Sequence, residues 1–494
     1  MDNWNRLSAL PFKELREIQN QKLRHFISRQ LYPFSPYYRR LFDRHNIKPG
    51  YIKTVEDLRI IPFTKKEDFF SSPENPQAFR DFILQPDEKL IKKYWPKPKL
   101  ISLALTKIIR GKDYLKKSLE RQYKPIFLTA TTGTTQSPVS FLYSDYDLGN
   151  LSRSGYRLLE VFGGKGDIRA VNIFPYAPHL AFWQTFYAAV HHNDFMLSTG
   201  GGKVMGTQGN IEAICKVKPN FLIGVPGYLY HLARVAREQG KDFSFLEKIV
   251  LGASAVPPGF KEKLAEILSG MGVKRLSVMG TYGFTEAKCA WGECPTEIGL
   301  SSGYHTYPDM EIFEVIDPES GEARKEGEDG ELVYTSLDAR GSAVVRYRTG
   351  DLVKGGISYQ PCPYCQRTVP RINSQIYRAS NIKDLKLSKL KGTLVNLSYF
   401  GEILEAEKGV EEWQIEVRKK DNDPYEIDEL VVYLSLKPEV EPQALKVSLR
   451  EKMLSTTEVS PNEIIVLPHK EMLEQVEMEV SHKVKRFVDK RPKI

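Results

Sequence analysis

The sequence predicts an α/β protein, with a large N-terminal domain of β-sheets flanked by helices and a small α+β domain at the C-terminal end. Length is the first reason: 494 residues exceed what one hydrophobic core organises, at about 100–200 residues per domain. Periodicity is the second, because from about residue 120 short apolar runs alternate with helical patterns, the order from which parallel sheets are built. The third is a change of character after Ile376, beyond which the pattern reads β-β-α-β.

Residues 12–46 read as helix, since apolar positions recur three and four apart through LREIQNQKLRHFISRQL. VEDLRIIPFTKKEDF reads as a short helix, a turn and a second helix start, with Thr64 as cap and Glu67 three residues on. Strands are expected at PIFLTA, AVNIFP, FMLST, FLIGVP, KIVLGA and RLSVMGTYG, separated by helices such as GYLYHLARVAREQG and PPGFKEKLAEILSGMG. EIFEVIDPESGEARKEGEDGELVYTSL is strand-rich, its Pro-Glu-Ser-Gly and Glu-Asp-Gly marking tight turns. EWQIEVRKK, ELVVYLSLKP, PQALKVSLREKML and EIIVLPH supply the terminal β-β-α-β order. The expected domains are residues 1–377 and 378–494, without internal repeats.

No apolar run approaches the roughly 20 residues that span a bilayer. The start MDNWNRLSAL lacks the basic head and apolar middle of a signal peptide, so the expected location is the cytoplasm. The formal charge is +9, much of it in residues 89–124 and in the tail SHKVKRFVDKRPKI. Such an excess suits nucleotides, coenzyme A, an anionic surface or nucleic acid. No aromatic interleaving or recognition-helix pattern accompanies it, so the charges read as solvated helix faces and no nucleic-acid partner is expected. Five cysteines do not make a disulfide framework. Cys215 stands alone in a helical stretch and reads as apolar filler. Cys289/Cys294 and Cys362/Cys365 are two close pairs, as a tetrahedral structural zinc site requires; reduced thiols without metal are the alternative.

The stretch TATTGTTQSPVS, residues 129–140, closes the first predicted strand. Its single glycine and row of hydroxyls, Thr131, Thr132, Gly133, Thr134 and Thr135, can turn N–H and O–H groups onto phosphate oxygens. A turn held by local side-chain to backbone bonds has the same letters. It is not the mononucleotide P-loop: GGGKV at 200–204 is the nearest lysine-bearing glycine run, and it lacks the distal Gly and the Ser/Thr after Lys.

Taken in order with Tyr282-Gly283-Phe284-Thr285-Glu286 and Tyr347-Arg348-Thr349-Gly350-Asp351-Leu352, this loop resembles the adenylate-forming superfamily of acyl-CoA synthetases, adenylation domains and luciferases. SPYYRRLFDRHNIKPGYIKTVEDLRIIPFTKKEDF, GELVYTSL, VVRYRTGDL, CPYCQRTVPRI and the terminal KVKRFVDKR look like its phenylacetate-CoA ligase branch. The resemblance runs from about residue 20 to the C-terminus. A basic stretch at about 80–124 interrupts it and looks like an insertion.

The resemblance implies a ligase that joins a carboxylic acid to ATP, releases pyrophosphate and passes the acyl group to coenzyme A. A carboxylate oxygen leaves poorly; AMP leaves well, so catalysis is mostly positioning and charge stabilisation. By resemblance, loop 131–139 contacts the ATP phosphates, Thr285 the α-phosphate, and Glu286 binds Mg²⁺. Asp351 accepts from the ribose hydroxyls, with Tyr282, Gly283 and Arg348 in the same nucleotide motifs. Gly252, Ala253 and Ser254 match the site of adenine and the acyl carboxylate, although the branch often has Glu where Ser254 stands. Tyr176, His179, Phe182 and Trp183 fall near the acyl pocket, for an aromatic or otherwise apolar acid. Lys483 aligns with the lysine that bridges carboxylate and α-phosphate, on a mobile lid formed by residues 378–494.

This chain also departs from the pattern. Gln136 stands where the loop has its second glycine, a steric cost if φ there is positive. The hinge Tyr377-Arg378-Ala379-Ser380-Asn381 keeps Arg378 but not the acid, with about five extra residues before Gly392 and Asp384 as a substitute. Some zinc-bearing members show a Cys, His, Cys, Cys pattern, which makes His305 a rival ligand, so four of Cys289, Cys294, His305, Cys362 and Cys365 are expected to hold zinc. A homodimer is the family expectation. Two other readings stand beside the CoA ligase: adenylation with an amine, a carrier protein or a hydroxyl as acceptor, and a degenerate nucleotide-binding or zinc-dependent nucleic-acid-binding protein. Retention of Glu286, Asp351 and Lys483 argues against the last.

Overall fold

Proline decides the first departure from helical periodicity. The stretch expected as one helix forms α1 (Phe12–Phe26), a π turn at Ile27–Leu31 and α2 (Pro36–Arg44). Pro33 and Pro36 bring no N–H, and extended Ser35 restarts the helix as its cap, its Oγ accepting from the Tyr38 N–H at 3.4 Å. Thr64 caps nothing. Its N–H and carbonyl pair with Arg346 and Arg348, and its buried hydroxyl meets the Tyr38 hydroxyl and the Val345 carbonyl, each at 2.9 Å. The flanking turns at Val55–Ile60 and Lys66–Phe69 are 3-10, closed by Asp57 and Asp68.

The computed structural model describes residues 3–73, 75–131, 139–164, 166–254, 256–378, 397–420, 428–457, 459–478 and 484–491. The basic stretch forms α3 (Glu88–Tyr94), α4 (Lys97–Arg110) and α5 (Lys112–Tyr123). A hairpin of β1 (Phe127–Ala130) and β2 (Ser140–Tyr143) leads into α6 (Asp145–Val161).

The predicted alternation then builds a parallel sheet from β3 (Arg169–Asn172), β4 (Phe195–Ser198), β5 (Phe221–Gly224), β6 (Lys248–Leu251) and β7 (Ser277–Phe284). The strands lie in the order β4-β3-β5-β6-β7. Their connections carry α7 (Leu180–His192), α8 (Gly202–Val217), α9 (Pro226–Glu238) and α10 (Pro258–Ser269). Beyond β7 the sheet turns antiparallel through β8 (Cys289–Gly292) and β9 (Tyr304–His305). The reason is length: four residues join β7 to β8, enough for a hairpin and too few for a crossover.

A second, antiparallel sheet holds β10 (Glu311–Ile316), β11 (Gly330–Ser336) and β12 (Tyr347–Val353). The chain returns to the edge of the large sheet as β13 (Ile357–Ser358) and β14 (Arg371–Ile372), then adds β15 (Ile376–Arg378) beside β12. Ligands of open α/β sheets bind beyond the carboxyl ends of the parallel strands, where strand order reverses. Here β3 and β5 make that reversal.

The C-terminal β-β-α-β expectation is met by α11 (Leu397–Ala406), β16 (Val410–Lys419), β17 (Asp428–Leu436), α12 (Pro442–Thr457) and β18 (Glu463–Val466). Phe400, Leu404, Trp413, Ile415, Leu434 and Leu449 form a core of its own there. A last strand, β19 (Phe487–Asp489), runs parallel to β16 inside the tail that reads as solvated charge. Its basic neighbours are matched to buried acids: Arg486 pairs with Glu412 at 2.7 Å and lies over Trp413, and Lys490 pairs with Glu416 at 2.7 Å. A β-carbon at Gly227, at the start of α9, would lie 2.7 Å from Val484, and one at Gly259, at the start of α10, 3.2 Å from Ala406, so this unit sits against the carboxyl side of the parallel sheet. No helix among the described residues is long and apolar enough to cross a membrane.

Candidate active site

Glycine sets the spacing where β6 and β7 end. A β-carbon at Gly252 would fall 2.3 Å from the Thr281 Oγ1, and one at Gly283 would fall 2.8 Å from the Ala290 β-carbon on β8. Neither strand end tolerates a side chain. Ala253 follows with φ of 68°, a conformation that costs a residue with a β-carbon about 1–2 kcal/mol. That turn leaves Ser254 exposed beyond the sheet.

Two reciprocal bonds then tie the motif after β7 to the motif on β12. The Tyr282 hydroxyl, on β7, donates to Asp351 Oδ2 on β12 at 2.7 Å. The Tyr347 hydroxyl, on β12, donates to Glu286 Oε1 in the turn after β7, also at 2.7 Å. Tyr282 is braced by the rings of Tyr304 and Trp291, each 5.8 Å away, and Tyr347 is buried. Two carboxylates are thereby held in fixed orientation, Asp351 buried and Glu286 half-buried beside Thr285. The Asp351 backbone pairs in register with Arg378 of β15, so the ribose candidate and the hinge arginine are backbone neighbours.

Sequence reasoning missed Tyr347, although it stands inside the quoted RYRTGD. It also missed Lys288, which ends the Glu286 turn with φ of 59°. Its buried ammonium lies 3.3 Å from Asp147 Oδ1 and over the Tyr143 ring. Burial pushes that ammonium below its ordinary pKa, and Asp147 opposes the shift.

Beneath the turn is a cavity of about 30 Å³ lined by Glu286, Lys288, Asp147 and Glu311, room for one or two waters. Glu311 Oε1 accepts from Trp291 Nε1 at 2.9 Å and the Tyr307 N–H at 2.5 Å, and burial pushes its pKa up to about 8. The folded state therefore keeps a proton that the unfolded chain gives up near pH 4.5. This contribution to stability is complete below about pH 4.5 and is lost as pH rises through about 8, by at most about 1.4 kcal/mol per unit. Glu311→Gln keeps the accepting oxygen and removes the titration. Thermal midpoints across pH 5–9 are expected to show a flatter profile for the variant and a higher midpoint than the parent at pH 8–9.

The other predicted residues divide clearly. Thr131 closes the base of the phosphate-loop candidate: its N–H donates to the Val139 carbonyl and its Oγ1 accepts from the Val139 N–H, both at 3.0 Å. Thr132, Gly133, Thr134, Thr135 and Gln136 lie outside the described residues, as do Lys483 and Asp384. Next to Lys483, Val484 packs so close to Gly227 at the start of α9 that a β-carbon there would lie 2.7 Å away. Val484 therefore lies by the carboxyl end of β5.

His179 shares a 3.0 Å hydrogen bond with the Ala130 carbonyl, tying the loop after β3 to the strand that enters the phosphate loop. Tyr176, Phe182 and Trp183 pack edge to face at 5.3–5.9 Å, with Phe182 buried and Tyr176 exposed. Arg348 is taken up elsewhere: its guanidinium pairs with Glu331 and donates to the Pro318 carbonyl at 2.7 Å. It is not brought to Asp351.

Of the five candidate metal ligands, Cys294, His305, Cys362 and Cys365 converge, their ligand atoms all within 4.8 Å of one another. Cys294 and Cys362 sulfurs are 3.7 Å apart, against about 3.8 Å for the edge of a tetrahedron with 2.3 Å metal–sulfur bonds. Cys365 Sγ is 3.2 Å from His305 Nε2, and His305 Nδ1 is 3.3 Å from the Gly292 carbonyl, which fixes the tautomer that presents Nε2. Cys289 is not part of this group. Cys289 begins β8, whereas Cys294 lies beyond its end. Burial and nearby Glu311 push the Cys289 thiol pKa up.

Comparison with known proteins agrees with this geometry. A family model described as AMP-binding enzyme matches residues 110–339. A solved 2-hydroxyisobutyryl-CoA ligase, in the postadenylation state in complex with R3-HIB-AMP, aligns with a TM-score of 0.74 at 17% identity over 99% of this chain and 92% of its own. The two chains share one fold over nearly their whole lengths. The phenylacetate-coenzyme A ligase of Thermus thermophilus is 26% identical over 381 residues, 76% of this chain and 73% of the relative. That of Aromatoleum evansii is 23% identical over 97% of this chain and 95% of its own. This chain is thus similar to an AMP-binding enzyme over residues 110–339 and to phenylacetate-coenzyme A ligases over most of its length.

Proposed function

We propose that the protein is an AMP-forming acid–CoA ligase, and the observation that carries the reading is the pair of reciprocal tyrosine–carboxylate bonds that orient Glu286, in the turn after β7, and Asp351, on β12. In the first half reaction an oxygen of the acid attacks the α-phosphorus of ATP and pyrophosphate leaves. The thiol of coenzyme A then attacks the acyl carbon and AMP leaves. Loop 131–139 grips the departing phosphates, Thr285 hydrogen-bonds the α-phosphate, and Asp351 accepts from the ribose. Lys483 bridges the acid and the α-phosphate, and residues 378–494 move about Arg378 between the half reactions. Relatives named for phenylacetate and coenzyme A support this order, as does a fold neighbour solved with 2-HIB-AMP and CoA.

Glu286 has the chemistry of a Mg²⁺ ligand, a half-buried carboxylate with one oxygen already oriented, and Mg²⁺ there would offset phosphate charge. The spacing of Cys294, His305, Cys362 and Cys365 fits zinc; four protein ligands leave no open position, so its role would be structural. The aromatic group at Tyr176, Phe182 and Trp183 favours an aromatic or apolar acid. A cytoplasmic location and a homodimer belong to the same reading.

The test is product identity. With ATP, Mg²⁺, an accepted acid and CoA, mass spectrometry is expected to find the acyl-CoA thioester. Pyrophosphate release that needs the acid but not CoA, without thioester, would replace the acceptor by an amine, a carrier protein or a hydroxyl, the alternative that the altered hinge favours.

A further inference from the structure

The inserted helices carry the chain's entire charge excess. Residues 88–124 hold twelve Lys and Arg against three Asp and Glu, a net +9 that equals the +9 of the whole chain. Read from sequence, this is a solvated helix face. The structure adds an apolar face to that reading, because α4 turns Leu100 and Leu103 inward and leaves its other large aliphatic side chains outward. Leu100 and Leu103 pack on the N-terminal core, whereas Ile101, Leu105, Ile108 and Ile109 are 59%, 52%, 79% and 77% exposed. At about 100° per residue those four positions fall on one stripe roughly 100° wide, the width of an apolar face that normally meets a core. Among the described residues nothing covers it.

Basic side chains border the stripe. Lys97, Lys107, Lys112 and Lys117 are exposed and form no ion pair among the described residues. Arg110 covers the Tyr114 ring and donates to its hydroxyl at 2.6 Å, which carries the amphipathic edge from α4 onto α5. An exposed apolar ridge bordered by unpaired cations has the composition of a helix that lies in a membrane interface, with isoleucines among the acyl chains and lysines at the headgroups. The 14 residues of α4 are too few to span a bilayer.

We infer that α4 and α5 dock the protein on the surface of an anionic lipid bilayer. Charge chooses this occupant over a second copy of the same face, since pairing residues 88–124 with themselves would set +9 against +9. The four exposed aliphatic side chains choose it over nucleic acid, whose phosphates and base edges give them nothing to bury against.

Flotation of the intact protein with vesicles tests this. Vesicles of phosphatidylcholine with about 30% phosphatidylglycerol are expected to carry the protein, pure phosphatidylcholine vesicles to leave most of it behind, and salt to weaken binding. The double variant Ile108→Asp, Ile109→Asp is expected to lose at least about tenfold in vesicle affinity. Adenylation is expected to stay at the parent rate, because neither side chain belongs to the proposed site. Lys112→Glu with Lys117→Glu should weaken anionic binding without altering the thermal midpoint, which separates docking from folding. No flotation with either vesicle, or undiminished flotation of both double variants, overturns the inference. So does a parent that elutes as a dimer which Ile108→Asp, Ile109→Asp converts to monomer, since the face would then belong to a second copy.

Discussion

Glu286→Ala is expected to lower acid-dependent exchange of pyrophosphate into ATP by about 10²–10³-fold, the cost of removing one preorganised stabilising group from a charged transition state. The carboxylate is oriented by Tyr347 and stands in a turn ended by buried Lys288, so the loss is of an aimed charge. Two companion variants separate this from damage to the fold. Glu286→Gln keeps the hydrogen bond from Tyr347 and removes the charge, so it should be nearly as inactive while the thermal midpoint stays at the parent value. Tyr347→Phe keeps the charge and loses its tether, a net hydrogen bond of about 0.5–1.5 kcal/mol, and should cost about 2–10-fold. Because Glu286 is the proposed Mg²⁺ ligand, both glutamate variants should need more Mg²⁺ for half-maximal residual rate. Full activity in Glu286→Gln would remove the carboxylate from the mechanism.

The second large effect concerns zinc. The purified chain is expected to hold about one zinc per molecule, and Cys362→Ser or His305→Ala to lose it together with about 10 °C or more of thermal midpoint. The knuckle Cys362–Cys365 lies between β13 and β14, whereas Cys294 and His305 belong to the β8–β9 side of the sheet. A metal there clasps the edge of the large sheet just before β15 leads to the hinge. Cys289→Ala discriminates: it should retain the metal, because Cys289 is buried away from the cluster. Metal analysis giving no zinc in the parent, or loss of zinc in Cys289→Ala, contradicts the assignment.

Much of this site is legible in sequence because its parts are motifs on regular elements. The alternation of strands and helices predicts β3 to β7, and two of the ordered motifs fall on β7 with the turn after it and on β12. What sequence does not reveal is direction. Whether Cys289 or His305 joins the other three ligands depends on how β8, which carries Cys289, and β9, which carries His305, lie in the sheet, and that emerges only when β9 pairs with β8 and β14. The Tyr347–Glu286 bond likewise joins segments 61 residues apart in the chain, brought together by two different sheets. Local patterns mislead where tertiary partners compete: Thr64 has the letters of a cap but is used by Arg346 and Arg348. The tail reads as solvated charge because nothing local announces that Glu412 and Glu416 are buried beneath it. The insertion misleads for the opposite reason, its charge being visible in sequence and the outward face of its isoleucines not.

The central claim, that the chain activates a carboxylic acid as its adenylate, is tested most directly by exchange of labelled pyrophosphate into ATP across a panel of aromatic and aliphatic acids in the absence of CoA. The result expected is exchange that depends on one class of apolar acid and collapses in Glu286→Gln and Lys483→Ala. Exchange that ignores the acid, persists in both variants or fails with every acid for a folded, ATP-binding protein would contradict it.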